Sequence, residues 1–200
     1  MTLAIKAGKQ IKKSRKLGFE FDFKIKNKKS IRTTSRRGSR TSVYGSQLNM
    51  KQIIRLYYGV SEKKMKSYYQ EASRRSEPTG ITMIHLLESR LDNVVYRMGF
   101  AATRAQARQM VSHGHILING KKVDIRSYLV RIGDTVEVKK SAQSHDRVNS
   151  SIEMAKEDFN CDWVKVDFDN YSGELSAMPD LGSLPEEFSK ISLVVEWYSK

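Results

Sequence analysis

Residues 86–138, LLESRLDNVVYRMGFAATRAQARQMVSHGHILINGKKVDIRSYLVRIGDTVEV, change their hydrophobic period partway along, and that change decides the fold. Before Gly114 the apolar positions recur at helical spacing: Ile84, Leu87, Leu91, Val94, Val95 and Met98 form one series, and Gly99 ends it. Thr103 then has the hydroxyl of an N-cap for a short helix, TRAQARQMVSHG, which closes at Gly114. After Gly114 the period drops to two. HILI and KKVDI flank Asn119-Gly120, a dipeptide that suits a type I′ hairpin because both residues tolerate positive φ. SYLVRI and TVEVKK follow, joined through Gly133-Asp134. Residues 89–159 are therefore predicted to form a compact module of two helices packed on a small, twisted, mostly antiparallel sheet.

Upstream the pattern is helical. Leu48, Ile53, Ile54, Leu56 and Tyr57 recur near helical spacing from Ser46, with Gly59 as a stop. Ser61 is placed to cap SEKKMKSYYQEASRR, whose Met65, Tyr68, Tyr69 and Ala72 share a face; Pro78 and Gly80 mark a turn, and ITMIHLLESRLDNVVYRMG reads as one helix. Downstream, an amphipathic helix is expected over about 147–158. Strand-like DWVKVDF and ISLVVEWY then lie on either side of a turn-rich linker carrying Pro179, Gly182 and Pro185. The predicted fold class is α+β. A basic extended arm (1–45) precedes a helical platform (46–88 and 160–200, ending in a C-terminal strand), into which the module (89–159) is inserted.

The 200 residues hold 36 Lys and Arg against 22 Asp and Glu, a net +14. The sign is sorted along the chain: residues 1–50 carry +12 and residues 151–200 carry −7. Such a balance points to a polyanionic partner, and away from an enzyme acting on small neutral substrates. The arm, with Lys12, Lys13, Arg15, Lys16, Arg36, Arg37 and Arg40, lacks apolar periodicity and would gain order by lying along phosphates. Within it the alternating Phe19, Phe21 and Phe23 suggest a short extended piece docked on the body. The single cysteine, Cys161, excludes an internal disulfide or a Cys-clustered zinc site, and no apolar run approaches membrane-spanning length. The N-terminus has no seven-residue apolar core of a secretory signal. A soluble intracellular protein, with no metal, no cofactor, no membrane partner and no small-molecule substrate, is expected.

In order, RLD, R-x-G, T-R-x-x-A-R, V-x-x-G-x-I, N-G, S-x-x-V and G-D over residues 86–138 resemble the RNA-binding module named after small-subunit ribosomal protein S-four. VYGSQLNMKQIIRLYYGV before it and LVVEWYSK at the end are also similar to that family, so the resemblance covers roughly residues 36–200. Two departures stand: the family's usual Ala-Arg-Tyr-x-Gly-Pro start is absent, and the arm has no cysteine cluster, which matches a zinc-free member. The resemblance implies a non-enzymatic constituent of the small subunit that binds the 5′ domain of small-subunit rRNA and nucleates assembly. It further implies contact with protein S-five and other small-subunit proteins, and a share in translational accuracy. The implied location is the ribosome in the cytoplasm, or in an organelle if encoded there.

Candidate RNA-binding residues follow. Arg104 and Arg108 are four apart on one helical face with Gln109 near, so their forks would straddle phosphates; a solvated face is the alternative. His113, Asn119, Lys121 and Lys122 accompany them at the helix end and hairpin, with His113 and His115 either touching phosphate or packing locally. Tyr44, Gln47, Lys51, Arg55, Arg74 and Arg97 complete the set outside the arm. The pairs Tyr57-Tyr58 and Tyr68-Tyr69 either stack on bases or place one ring in the core and its neighbour half exposed. By resemblance, Arg36, Arg37 and Arg40 in TSRRGSRTSVYG lie near the channel through which mRNA enters, contact with rRNA phosphates being the alternative. The acidic end offers Val194, Glu196, Trp197 and Tyr198 as a protein interface. Arg-Leu-Asp is also the signature of pseudouridine synthases that borrow this module, but here it precedes Thr103 within a module helix. Too few residues follow 138 for a catalytic domain, so Asp92 is assigned a capping or salt-bridge role.

Overall fold

A computed structural model describes Leu17, Phe19, residues 42–157 and residues 159–200. Helix α1 (Val43–Tyr57) starts three residues before the expected Ser46 because the Ser42 hydroxyl caps it, accepting from the Gly45 N–H at 3.1 Å. Ser61 caps α2 (Glu62–Ala72) as predicted. The long third helix is in fact two, α3 (Thr79–Glu88) and α4 (Leu91–Arg97). Arg90 between them is extended and bridges Leu129, while the Leu91 and Val130 N–H groups donate to the Tyr128 and Ser89 carbonyls, both at 2.8 Å. Hydrogen bonds from a distant segment replace helical ones at this break, which apolar period alone cannot reveal. Thr103 caps α5 (Arg104–Ser112), accepting from the Gln106 N–H at 3.2 Å.

Strands β1 (Ile116–Ile118) and β2 (Lys121–Lys122) meet at Asn119 (φ 49°) and Gly120 (φ 75°), the positive pair a type I′ turn requires. SYLVRI is irregular rather than strand, with Leu129 making only the isolated bridge to Arg90. Next come β3 (Thr135–Val138), α6 (Lys140–Gln143), α7 (Asp146–Glu157), β4 (Val164–Asp167) and β5 (Ser172–Leu175). Two short 3-10 turns (Leu181–Ser183 and Glu186–Lys190) lead to α8 (Ser192–Ser199).

The five strands form one antiparallel sheet in the order β2-β1-β3-β5-β4. Strand β5 lies in the stretch expected to be linker, and through it residues 164–175 join the module's sheet, not the platform expected to hold 160–200. Its Ser-Gly-Glu core shows no apolar alternation, and Gly173 is small for a reason. A β-carbon there would stand 3.0 Å from both the Lys165 carbonyl and the Met98 sulfur.

The C-terminal segment is a helix, not the expected strand. Its adjacent Val194 and Val195 suggest extended structure, but Leu193, Val194, Trp197 and Tyr198 recur at helical spacing, and α8 lays that stripe on α1. One core runs through platform and module, including Tyr57, Met83, Leu87, Val95, Phe100, Ile116 and Val136. Phe19 is buried in it, edge-on to Tyr57 at 6.0 Å. Among the described residues no helix is long and apolar enough to cross a membrane.

Candidate nucleic-acid interface

Where α3 gives way to α4, Glu88 is 2% exposed and its carboxylate is fully engaged. It accepts from the Tyr58 hydroxyl (2.7 Å), Asn93 Nδ2 (2.6 Å) and Arg97 Nε and Nη2 (3.0 and 2.8 Å). Burial alone would raise its pKa, but the Arg97 charge and these hydrogen bonds outweigh it and hold the carboxyl below its ordinary value. Burial, and then Glu88 itself, keep the Tyr58 hydroxyl well above its own. Asn93 passes the network on: its Oδ1 accepts from Arg104 Nε at 2.9 Å, and the Arg104 guanidinium lies 3.9 Å from the Tyr57 ring centre and 4.3 Å from that of Tyr96.

Four residues on, Asp92 anchors the other half of the seam. Arg90 holds it with two parallel bonds (2.9 and 2.8 Å) while Nη1 donates to the Tyr68 hydroxyl at 2.8 Å. Arg108 donates Nε to the same carboxylate (3.0 Å) and Nη2 to the Tyr58 carbonyl (2.7 Å). Its guanidinium lies over Gly59, whose φ of +57° and missing side chain leave the room. Of the two roles expected for Asp92, capping or salt bridge, these contacts are the salt bridge. Four guanidinium groups and two carboxylates therefore join the end of α1, the α3–α4 break and α5.

This corrects the expected exposure of the motif arginines. Arg104 and Arg108 do share one face of α5, but it is the face that packs on α4. Arg97 likewise turns to Glu88 and lies 5.1 Å over the Trp163 ring. Gln47 is 1% exposed, donating to Glu196 (2.7 Å) and accepting from Lys200 (3.1 Å); Lys51 is buried on Glu62 (2.9 Å) and over Trp197 (4.6 Å). Arg55 is half-buried against Gln52, 4.0 Å from Glu62. Tyr57, Tyr58 and Tyr68 are all core, and Tyr69 stacks on Tyr198 at 5.3 Å.

Of the four expected interface residues only Val194 is buried; Trp197 and Tyr198 are half-buried and Glu196 is exposed, each with a partner inside the chain. Glu196 accepts from Gln47, Trp197 meets Tyr44 at 4.9 Å, and Tyr198 donates to Glu62 at 2.8 Å. The apolar pattern that suggests a partner belongs to α8 packing on α1 and α2.

Outward stand Gln109, His113, Lys121 and Lys122 on the module, with Tyr44 and Arg74 on the platform. Asn119 is exposed yet pins its hairpin to the next turn, donating to Asp134 (2.9 Å) and accepting from the Thr135 N–H (2.9 Å). The stem of Lys122 lies over Gly114, which brings the hairpin against the end of α5. Exposed cations that sequence reasoning missed are Lys63, Lys64, Lys66 and Arg75 on and just after α2, and Lys139, Lys140 and Arg147 beyond β3. The run Lys-Lys-x-Lys after the Ser61 cap was the available signal for the first group. Lys12, Lys13, Arg15, Lys16, Arg36, Arg37 and Arg40 lie outside the described residues. Burial pushes the Cys161 thiol up to about 12, so it is a protonated core group at neutral pH.

Residues 6–88 match the family model of the Ribosomal protein S4/S9 N-terminal domain, and residues 89–136 that of the S4 domain. Their boundary falls within the seam, beside Glu88. The small ribosomal subunit protein uS4 of Coxiella burnetii (strain RSA 493 / Nine Mile phase I) is 51% identical over 165 residues, 82% of this chain and 79% of the relative. That of Halorhodospira halophila (strain DSM 244 / SL1) is 48% identical over the same span and shares. That of Legionella pneumophila (strain Corby) is 46% identical over 161 residues, 80% of this chain and 78% of the relative.

Proposed function

Because the chain belongs to the ribosomal protein S4 family, whose members are structural and non-enzymatic, we propose that it is a constituent of the small ribosomal subunit that holds rRNA by phosphate contact and shape. The observation that carries this reading is the buried seam. By tying α1, α3, α4 and α5 together through Glu88 and Asp92, it sets the exposed cations of the platform at a constant spacing from those of the module. Two basic surfaces held at one distance suit the helices of an RNA junction, where phosphates of separate helices keep a defined geometry. On the module the contact residues are Gln109, His113, Lys121 and Lys122; on the platform they are Tyr44, Arg74 and the Lys63–Lys66 run. The arm adds Lys12, Lys13, Arg15 and Lys16 along the backbone.

The RNA is the 5′ domain of small-subunit rRNA, and binding biases its junction toward the assembled geometry. Arg36, Arg37 and Arg40 reach the channel where mRNA enters, and contact with protein S-five links the protein to decoding accuracy. Support for these finer assignments is the resemblance carried by TSRRGSRTSVYG and the flanking segments. The test is binding of the purified chain to an isolated 5′-domain transcript, with magnesium and near-physiological salt, against an equally long structured competitor. A strong preference for the junction is expected. With about eight phosphates neutralised, affinity falls by roughly three to five decades between about 50 and 200 mM salt. Equal binding to both RNAs would reduce the protein to a general basic binder.

A further inference from the structure

Three histidines from three elements meet at the end of α5. His113 caps that helix, Gly114 (φ +68°) turns the chain, His115 leads into β1, and His145 stands just ahead of α7. The rings of His113 and His115 lie edge-on at 5.8 Å, and those of His115 and His145 at 5.4 Å. Lys139, where the chain leaves β3, donates its backbone N–H to the His115 carbonyl at 2.8 Å. His113, His145 and Lys139 are exposed and His115 is half-buried.

The groups acting on His115 are all cations or potential cations: His145, His113 and Lys139. Lys122 from β2 adds its ammonium beside Gly114, and Lys140 of α6 is exposed next to Lys139. The acids of the neighbouring elements are Glu137, which stands opposite Leu117 in the β1–β3 register, and Asp146, which opens α7. Burial, and then the neighbouring imidazoles and Lys139, hold His115 below its ordinary value, and an anion placed among these groups would favour its charged form. Among the described residues no group of three or more His, Cys, Asp or Glu side chains has the arrangement to hold a metal ion.

We propose that His113, His115, His145 and Lys139 form a binding site for a phosphate of the RNA backbone, and that the site takes up a proton as the phosphate binds. This rests on the RNA-binding reading above and deepens it. A phosphate set among the three imidazoles and Lys139 brings the negative charge that favours a protonated imidazole there. Linkage then requires affinity to rise as pH falls, by at most about tenfold per pH unit for each proton taken up.

The test compares the dissociation constant for the 5′-domain transcript at pH 8 and pH 6, in constant salt and magnesium, for the full chain and for H113Q/H115Q/H145Q. The wild-type chain is expected to bind about tenfold more tightly at pH 6, with net proton uptake near one measured by calorimetry in buffers of differing ionisation enthalpy. In the triple variant the ratio between the two pH values should shrink to within about twofold. A variant that keeps the full ratio, or a wild-type chain that binds the junction selectively with no pH dependence, overturns this inference alone. A wild-type chain that binds the transcript no better than the competitor at either pH overturns the junction-selective reading beneath it.

Discussion

Arg108 lies over Gly59, and the pairing explains why Tyr58-Gly59-Val60 has the composition it has: the carbonyl before the glycine accepts from the arginine, and the glycine leaves it space. Gly59→Ala should cost about 1–3 kcal/mol, from a side chain forced to positive φ and a displaced guanidinium, measurable by urea denaturation. Asp92→Ala should cost more, about 3–5 kcal/mol, since Arg90 would be left buried, and Arg108 half-buried, without their shared counter-charge. Glu88 makes the seam acid-sensitive. Its folded pKa is depressed, so its stabilising contribution is complete above the ordinary value of 4.5 and is lost as pH falls through the folded one. The urea midpoint of the wild-type chain should therefore drop more steeply between about pH 5 and pH 3 than that of Glu88→Gln. At this scale a capping or salt-bridging role for Asp92 and the shared face of Arg104 and Arg108 were legible in the sequence. The direction of that face was not, because spacing says which side chains travel together and not what they meet.

Elements with local signals were legible in advance. Ser61, Thr103 and Asn119-Gly120 carry caps and a turn in their own atoms, and each sits where it was expected. Elements defined by distant partners were not: the α3–α4 break depends on residues 128–130, β5 depends on β3 and β4, and α8 depends on α1. The helix α8 is firmly seated. Val194 is wholly buried, so Val194→Ala should lower stability by about 2 kcal/mol and destabilise α1 with it, read as faster amide exchange in both helices. The hairpin makes the opposite case. Lys121 and Lys122 are exposed, so replacing both with Ala should leave thermal stability nearly unchanged. The same change should flatten the dependence of log affinity for rRNA on log salt by about 0.9 for each phosphate left without its lysine.

For the molecule as a whole, the seam and the shared core predict one cooperative unfolding event. The two tryptophans make this observable: Trp163 precedes β4 in the module's sheet, and Trp197 lies on α8 in the platform. Single-tryptophan chains made with Trp163→Phe and Trp197→Phe should report the same urea midpoint. In an Asp92→Ala background the two midpoints should separate, because the ion network that couples the bodies is cut. Coincident midpoints in that background would show that apolar packing alone joins them. The sheet order has a different consequence, for the interval between synthesis and capture by RNA. Adding β5 and β4 makes β3 an interior strand and, among the described residues, leaves β2 and β4 at the edges. The first is two residues long and both are lysines, while the second carries Lys165 and Asp167 outward. Short, charged rims resist edge-to-edge pairing, so a chain with no RNA yet to cover it is shielded from aggregating through its own sheet.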